Sequence, residues 1–311
     1  MEPSKRNASG PAAVRVGAHL NGGVSKAMAH ADRIGLRDGP IQIFARSPSS
    51  WRTPRHSDAT VARFRQGCRE RGLEPAFIHG IYLMNFASRD QRISERSVQA
   101  LSDELRIAAR LGAAGVVVHP GAAGEWPVPA ALDRAAAAMG ACLTATEHEA
   151  ANISLLLETC AGQGTTLGRS FEDLAGLLER LDHHPRLAIC LDTCHLHAAG
   201  YALAPRSEHD LATEGAGVVQ TATLEETLTV CAQTVGLSRV RLIHANDSKV
   251  PFGTNRDRHE NIGYGTIGTA AFAAMLTHPH LHSLPFVLEV PGLDNEGPDA
   301  ANLAALRRLA G

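Results

Sequence analysis

Six short apolar runs of the chain lead directly into a histidine or a carboxylate. They lead into His79, His119, Glu158, Asp192, His244 and Glu289. Successive members are 34 to 52 residues apart, about the length of one strand and one helix. Imidazole and carboxylate groups bind metal ions and transfer protons, so the repeat indicates a chemical site rather than scattered polar residues.

Three more residues of these types lie nearby in the sequence. His195 follows Asp192 by three positions, and Asp257 and His259 are two apart in "NRDRHENIGYG", which lets both reach one cation from an extended segment. Singly, such residues more often satisfy a carbonyl or cap a helix. Jointly they would be costly to desolvate without a cation. Nitrogen and oxygen donors favour Zn²⁺, Mn²⁺ or Fe²⁺, and nine groups suit two or three ions. His19 is expected to support the site or touch substrate.

The elements that must position these residues recur along the chain. Short runs rich in Val, Ile and Leu, typical of parallel strands buried on both faces, occur near 13–19 and at 41–46, 75–80, 115–121, 154–159, 187–195, 241–247 and 285–290. Stretches with helical spacing separate them, among them "SERSVQALSDELRIAARLG" with Gly112 as its C-cap, "FEDLAGLLERLD" and "LEETLTVCAQTVG".

Eight strand–helix units predict a single-domain α/β fold, the (β/α)₈ TIM barrel, with a doubly wound open sheet as the alternative. In a barrel every strand ends at the same rim, where barrel enzymes hold their active sites. The strand-end residues would therefore converge on one pocket.

Composition limits the remaining possibilities. Residues 1–13, "MEPSKRNASGPAA", are predicted to be a disordered tail, and residues 14–311 the catalytic barrel. No apolar stretch approaches about 18 residues, and the start lacks the apolar core of a secretory signal. Six scattered cysteines without a CxxC pair indicate reduced thiols and a cytoplasmic protein, with Cys190 and Cys194 interpreted as packing residues. A net charge of −2 means that nucleic-acid binding would need a local patch.

Several motifs resemble those of the endonuclease IV-type AP endonucleases. They are "GVVVHPG", "LLLETCAGQGTTLG", "CLDTCHLHAAGY", "IHANDSK", "GTNRDRHENIGYGTIG" and "FVLEV", which occur in order between about residues 14 and 290. The resemblance implies a TIM barrel with three zinc ions, Mn²⁺ or Fe²⁺ being alternatives at one site. It implies cleavage of double-stranded DNA 5′ to abasic sites in base excision repair, leaving a 3′-hydroxyl and a 5′-deoxyribose phosphate. We expect a monomer that is cytoplasmic, and nucleoid-associated if bacterial, without membrane contact.

The resemblance also implies how the ligands are shared. The first ion would be held by His79, His119 and Glu158. The second would be held by Glu158, Asp192, His244 and Glu289. The third would be held by His195, Asp257 and His259. Glu158 would bridge two ions and is the expected catalytic residue.

The family's DNA contacts have partial counterparts here. An arginine, a tyrosine and a leucine wedge into the lesion in the family, and Tyr82 and Leu83 of "HGIYLMN" resemble the last two. In "IFARSPSSWR", Ser49 stands where the family usually has arginine, which predicts a weaker hold on DNA. The candidate DNA-binding residues are Tyr82, Leu83, Arg46, Ser49, Arg52 and Lys249.

Two other functions fit parts of the pattern. A sugar isomerase or epimerase on the same barrel would use two ions but would have no use for the trio of His195, Asp257 and His259. A non-catalytic DNA-binding protein would need no full ligand set, and the net charge of −2 argues against it.

Overall fold

All eight predicted strands are present and close into one barrel. The computed structural model describes residues 14–206 and 219–311. In chain order the strands are β1 (Arg15–His19), β2 (Ile41–Phe44), β3 (Ala76–His79), β4 (Gly115–Val118), β5 (Ser154–Glu158), β6 (Leu187–Asp192), β7 (Val240–His244), β8 (Asp247–Ser248), β9 (His259–Glu260) and β10 (Pro285–Leu288). β8 and β9 form a small antiparallel pair, and the others form the parallel barrel β1-β10-β7-β6-β5-β4-β3-β2. Since β1 pairs with both β2 and β10, the open doubly wound sheet is excluded.

Helices surround the barrel and connect most of its strands. They are α1 (Gly23–Arg33), α2 (Asp58–Glu70), α3 (Gln91–Leu111), α4 (Val128–Ala145), α5 (Phe171–Arg180), α6 (Thr193–Ala199), α7 (Leu224–Thr234), α8 (Thr269–Thr277) and α9 (Ala300–Leu309). The three stretches singled out in the sequence correspond to α3, α5 and α7. Asp90, Ser170 and Thr223 cap their first turns through side-chain oxygens, and Gly112 ends α3 in the left-handed conformation.

Two parts of the chain lie outside the described ranges. The tail predicted over residues 1–13 lies outside them, so the domain boundary at residue 14 stays a prediction. Residues 207–218, between α6 and α7, also lie outside them. Among the described helices, none has the length and apolar character needed to span a membrane.

The barrel interior explains how the candidate ligands are presented. A buried cluster fills it, made of Phe77, Val117, Leu156, Ala188, Cys190, Leu242 and Val287. Every member except Ala188 stands two positions before one of the six strand-end candidates. Strand side chains alternate between the two faces, so the candidates occupy the next inward layer, toward the C-terminal mouth.

Candidate metal centre

Glu158 lies at the centre of the mouth and faces histidines on several strands. Its side chain is almost fully buried, at 1% exposure. Oε2 lies 3.3 Å from His79 Nε2 and 3.0 Å from His119 Nε2. Oε1 lies 2.9 Å from His244 Nδ1 and 3.5 Å from His195 Nδ1. The two oxygens therefore face different sets of nitrogen donors, which is the arrangement that a bridging carboxylate requires.

Within the described residues, five clusters of potential ligand atoms occur; two include Cys190 or Cys194, and the other three groups contain all nine candidate ligands. The potential ligand atoms within each group lie within 4.8 Å of one another. The groups are His79, His119 and Glu158; Glu158, Asp192, His244 and Glu289; and His195, Asp257 and His259. This is the division that the family resemblance implies.

The third group adjoins the other two at the more open side of the mouth. Asp257 lies between the two histidines, with Oδ2 3.1 Å from His195 Nε2 and Oδ1 3.3 Å from His259 Nε2. His259 Nε2 is also 3.6 Å from a carboxylate oxygen of Asp192. The side chains of Asp257 and His119 are 42% and 34% exposed. Solvent therefore reaches the centre between the first and third groups.

Backbone carbonyls fix the orientation of two of the histidine rings. His79 Nδ1 lies 2.7 Å from the Gly80 carbonyl oxygen, and His195 Nδ1 lies 2.7 Å from the Thr159 carbonyl oxygen. Donation from Nδ1–H to these oxygens leaves Nε2 of each ring facing its carboxylate partner. Partners of this kind commonly set the tautomer of a metal-binding histidine.

Gln42 is a site residue that the sequence analysis missed. It is fully buried on β2, and its Oε1 lies 2.9 Å from His244 Nε2. Its Nε2 donates to Glu289 Oε1 at 2.5 Å and lies 3.1 Å from His19 Nδ1. Donation from His244 Nε2–H to Gln42 leaves Nδ1 facing the carboxylates of the second group. A polar residue within the apolar run "IQIF" was the available signal.

Asn246 was also missed, although it belongs to the "IHANDSK" motif. Its Nδ2 donates to Asp192 Oδ2 at 2.7 Å, and its Oδ1 accepts from the Glu289 backbone N–H at 2.8 Å. It therefore connects the ends of β6 and β10. His19 behaves as expected of a supporting residue, with Nδ1 3.2 Å from Glu289 Oε1.

Opposite charges compensate one another within the ion-free centre. Burial opposes the charged form of His79, but its contact with Glu158 and the charges of Glu289 and Glu158 raise its pKa to about 9. Burial likewise opposes ionisation of Glu158, but the charges of His119 and His244 hold its pKa well below the usual range. Imidazolium protons thus neutralise carboxylates in the positions where cations would do so.

The neighbouring thiols take no part in this compensation. Burial raises the pKa of Cys194 to about 12 and that of Cys190 well above its usual value. Both thiols therefore favour the protonated form, as is usual for cysteines packed in the protein interior.

The donor set fits divalent ions. Two ligands about 2.0–2.2 Å from a tetrahedral zinc lie roughly 3.3–3.6 Å apart, close to the 3.3 and 3.0 Å that separate Glu158 Oε2 from His79 Nε2 and His119 Nε2. Glu158 Oε2 and His259 Nε2 are among the buried side-chain atoms of the described residues that make no hydrogen bond, although each lies within 3.3 Å of another candidate ligand atom. A cation between the ligands would satisfy both atoms.

Five of the six candidate DNA-binding residues have side chains that are at least partly accessible. Tyr82 is 63% exposed, with its ring centroid 5.6 Å from that of His79. Leu83 is half-buried against the core, whereas Ser49 and Arg52 are exposed on the loop after β2. Lys249 is exposed, and its Nζ lies 3.8 Å from Oε2 of Glu260.

Arg46 is a correction to the sequence analysis. Its side chain is 1% exposed, and Nε lies 3.1 Å from Oε1 of the buried Glu104 on α3. Its Nη2 also donates to the Ala100 carbonyl oxygen at 3.1 Å. Arg46 therefore anchors the loop after β2 to α3, and its buried guanidinium group is not available to DNA at the mouth.

Family and sequence comparisons reveal close relatives. Residues 39–309 match the family model described as a xylose isomerase-like TIM barrel. The chain is 37% identical over 297 residues to the probable endonuclease 4 of Chloroflexus aurantiacus, covering 95% of this chain and 98% of that protein. It is 42% identical over 275 residues to the probable endonuclease 4 of Streptomyces coelicolor, covering 88% of this chain and 87% of that protein.

The comparison with solved structures also identifies an endonuclease IV. Endonuclease IV from Thermus thermophilus matches with a TM-score of 0.76 and 35% identity, covering 95% of this chain and 98% of that one. A D-tagatose 3-epimerase-like protein matches with a TM-score of 0.65 but only 18% identity, covering 95% of each chain. The second likeness concerns the barrel fold alone.

Proposed function

Because the chain belongs to the endonuclease IV family and is thus a metal-dependent, DNA-cleaving hydrolase, we propose that it cleaves double-stranded DNA 5′ to abasic sites in base excision repair. The products would be a 3′-hydroxyl and a 5′-deoxyribose phosphate. The observation that carries the proposal is the meeting of three groups of nitrogen and oxygen donors, two of them sharing the buried Glu158, at one barrel mouth.

Each group would hold one ion, with Glu158 shared between the first and second groups. Bound zinc ions would supply Lewis acidity, lowering the pKa of water and neutralising charge on the phosphodiester, and Mn²⁺ or Fe²⁺ are alternatives at one site. Gln42 and Asn246 would keep His244, Asp192 and Glu289 oriented for this task.

The charge of the centre favours an anionic substrate. The nine residues include four carboxylates, Glu158, Asp192, Asp257 and Glu289, whereas three divalent ions would carry six positive charges. With neutral imidazoles the loaded centre would be positive, which suits a phosphodiester. The third group separately favours the hydrolase over a two-ion sugar epimerase, the alternative raised by the sequence, because such an epimerase has no use for a third ion.

Selection of the abasic site would depend on the rim, the loops around the barrel mouth that carry the candidate DNA-binding residues. An abasic nucleotide leaves the duplex easily because no base pairs or stacks there. Tyr82, exposed beside His79, and Leu83, partly buried against the core, would fill the gap as a wedge. Ser49, Arg52 and Lys249 would contact the backbone. We further expect a monomer working in the cytoplasm, where its free cysteines would stay reduced.

The direct test is incubation with an end-labelled duplex containing one abasic site, beside the same duplex without the lesion. We expect a single cut 5′ to the site, with a 3′ end that a DNA polymerase extends. A chelator should abolish cleavage, and added zinc should restore it. Cleavage that resists chelation, or cutting at no abasic site, would overturn the proposal.

A further inference from the structure

Tyr264 is an exposed aromatic residue that the proposed metal centre does not use. Its side chain is 72% exposed, and it stands five residues after His259. Tyr82 is the other large exposed aromatic residue within the described ranges, whereas Tyr201, the third tyrosine of the chain, is buried. Tyrosine is favoured on binding surfaces because its rigid ring offers a large contact area at a low entropy cost.

The backbone on either side of Tyr264 is held by a buried carboxylate. Asp247, fully buried on β8, accepts hydrogen bonds from the backbone N–H groups of Gly263 at 2.9 Å and Gly265 at 3.2 Å. It also accepts from Ile267 N–H at 3.0 Å. A Cβ atom at position 265 would collide with the Asp247 carboxylate, so the loop packs directly on it. The ring is therefore presented by an ordered loop, and binding would require little further ordering.

The two exposed tyrosines stand on opposite walls of the barrel. Tyr82 follows β3, whereas Tyr264 belongs to the excursion that follows β7. In the closed order of eight strands, β3 and β7 are four places apart in either direction. Glu158, on β5, is surrounded by histidines from both walls, since it contacts His79 of β3 and His244 of β7. A ligand lying across the metal centre could reach both tyrosines.

The wall that carries Tyr264 also carries exposed cations. Lys249, Arg256 and Arg258 are exposed, and the Lys249 backbone N–H donates to the Arg258 carbonyl oxygen at 2.9 Å. In a chain of net charge −2, such a group of cations on the same excursion as an exposed aromatic ring suits a polyanion with planar bases.

We propose that Tyr264 packs against the DNA duplex on the side of the cleavage site opposite to Tyr82, so that two tyrosines hold the DNA across the metal centre. This inference rests on the proposed function. Tyr264 touches no reacting atom in this arrangement, and it adds affinity and places the lesion over the ions. Its loss should therefore appear in KM and Kd, with kcat at saturating DNA largely retained.

The test uses the zinc-loaded protein and an abasic duplex whose scissile linkage is a methylphosphonate, with 2-aminopurine placed in turn at flanking positions. Tyr264→Leu should raise Kd by roughly 5- to 100-fold, the range for loss of one aromatic stacking contact. Tyr264→Phe, which keeps the ring, should restore most of the affinity. Each tyrosine should alter 2-aminopurine fluorescence on its own side only, so Tyr264→Leu and Tyr82→Leu should affect different positions.

The controls separate this inference from the proposed function. Wild-type cleavage of the unmodified abasic duplex tests the function alone, and equal thermal midpoints show that the variants fold. If the wild type cleaves but Tyr264→Leu binds as tightly, or changes the same fluorescent positions as Tyr82→Leu, only the role of Tyr264 is overturned. If the wild type neither binds nor cleaves abasic DNA, both proposals fall.

Discussion

Glu158 and Ser49 belong to the same barrel mouth but to regions built in different ways. Glu158 ends a strand, is buried, and lies within 3.5 Å of four imidazole nitrogens. Ser49 lies on an exposed loop, and its hydroxyl is 3.4 Å from that of Ser47. The first region is fixed by neighbouring strands and tolerates little change. The second can vary without disturbing the ligands, so chemistry and DNA affinity should be separable by mutation.

The largest effect is expected for Glu158→Gln. The substitution keeps the shape but removes the charge shared by the first two groups, which should expel or separate their ions. We expect kcat/KM on an abasic duplex to fall about a thousandfold or more, with the fold retained. Elemental analysis and circular dichroism would accompany the assay, and Glu125→Gln, at an exposed carboxylate, is the matched control. Retention of both ions and near-normal turnover would show that Glu158 is not the bridge.

Protons should compete with metal at the buried region but not at the rim. In the ion-free protein, His79 has a pKa of about 9 because its carboxylate neighbours outweigh burial. It is protonated at neutral pH, and an ion that binds its Nε2 must displace that proton. Because the pKa values of His195 and His244 are raised as well, zinc affinity of the chelator-stripped protein should fall by at least tenfold for each pH unit below about 9. Competition against a fluorescent chelator between pH 6 and 9 would measure this, and a flat profile would contradict it.

Gln42→Ala should produce an intermediate effect. It leaves all nine candidate ligands in place but removes the hydrogen-bond partner of His244 and Glu289. Loss of such supporting partners commonly costs about 10- to 100-fold in metal affinity. Gln66→Ala, on the exposed face of α2, is the control with the same substitution. If zinc affinity in Gln42→Ala equals that of the control, the amide does not orient these ligands.

Ser49→Arg should have the smallest effect, and it is a gain. A guanidinium group here could pair with a phosphate, which adds about 1–2 kcal/mol, or roughly 5- to 30-fold in affinity. The KM for abasic DNA should fall, and the slope of log affinity against log salt concentration should steepen by about one phosphate contact. The single-turnover cleavage rate should stay unchanged. Ser238→Arg adds the same charge in the exposed turn before β7, at the other end of the barrel.

Arg52→Ala completes the test of the rim loop. If Arg52 already occupies the position of the family arginine, its loss should weaken binding and Ser49→Arg should be neutral. Arg46 is no longer a candidate for that role, because it is buried against Glu104. If neither substitution changes affinity for abasic DNA at low salt, the loop does not touch the lesion.

The strand-end residues could be found from the sequence because their signal is local and repeated. Apolar runs that end in His119 or Glu158 mark both a strand and its mouth end, and closure of the barrel brings them together. Gln42 was missed because the side chain of a single residue within a strand can face either the barrel interior or the surrounding helices. Its register partner is Phe77, which faces the barrel interior, so the alternation of side chains would have shown that Gln42 does too.

The rim was harder to predict because its contacts are distant in sequence. Arg46 stands three residues before Ser49 and was grouped with it, yet its position depends on Glu104, 58 residues later. Likewise, the loop of Tyr264 depends on Asp247, which the sequence analysis treated only as part of a motif. Loop side chains lack the periodicity that reveals strand direction, so their exposure emerges only from the folded chain.

The apolar layer formed by Phe77, Val117, Leu156 and the rest of the inner cluster has a kinetic consequence. It closes the barrel beneath the ligands, so ions would enter and leave through the mouth that DNA covers. Bound substrate would then slow metal exchange, and a chelator would inactivate the free protein faster than the complex. Retention of the ions during a catalytic cycle would depend on how long the DNA stays bound, even where free zinc is scarce.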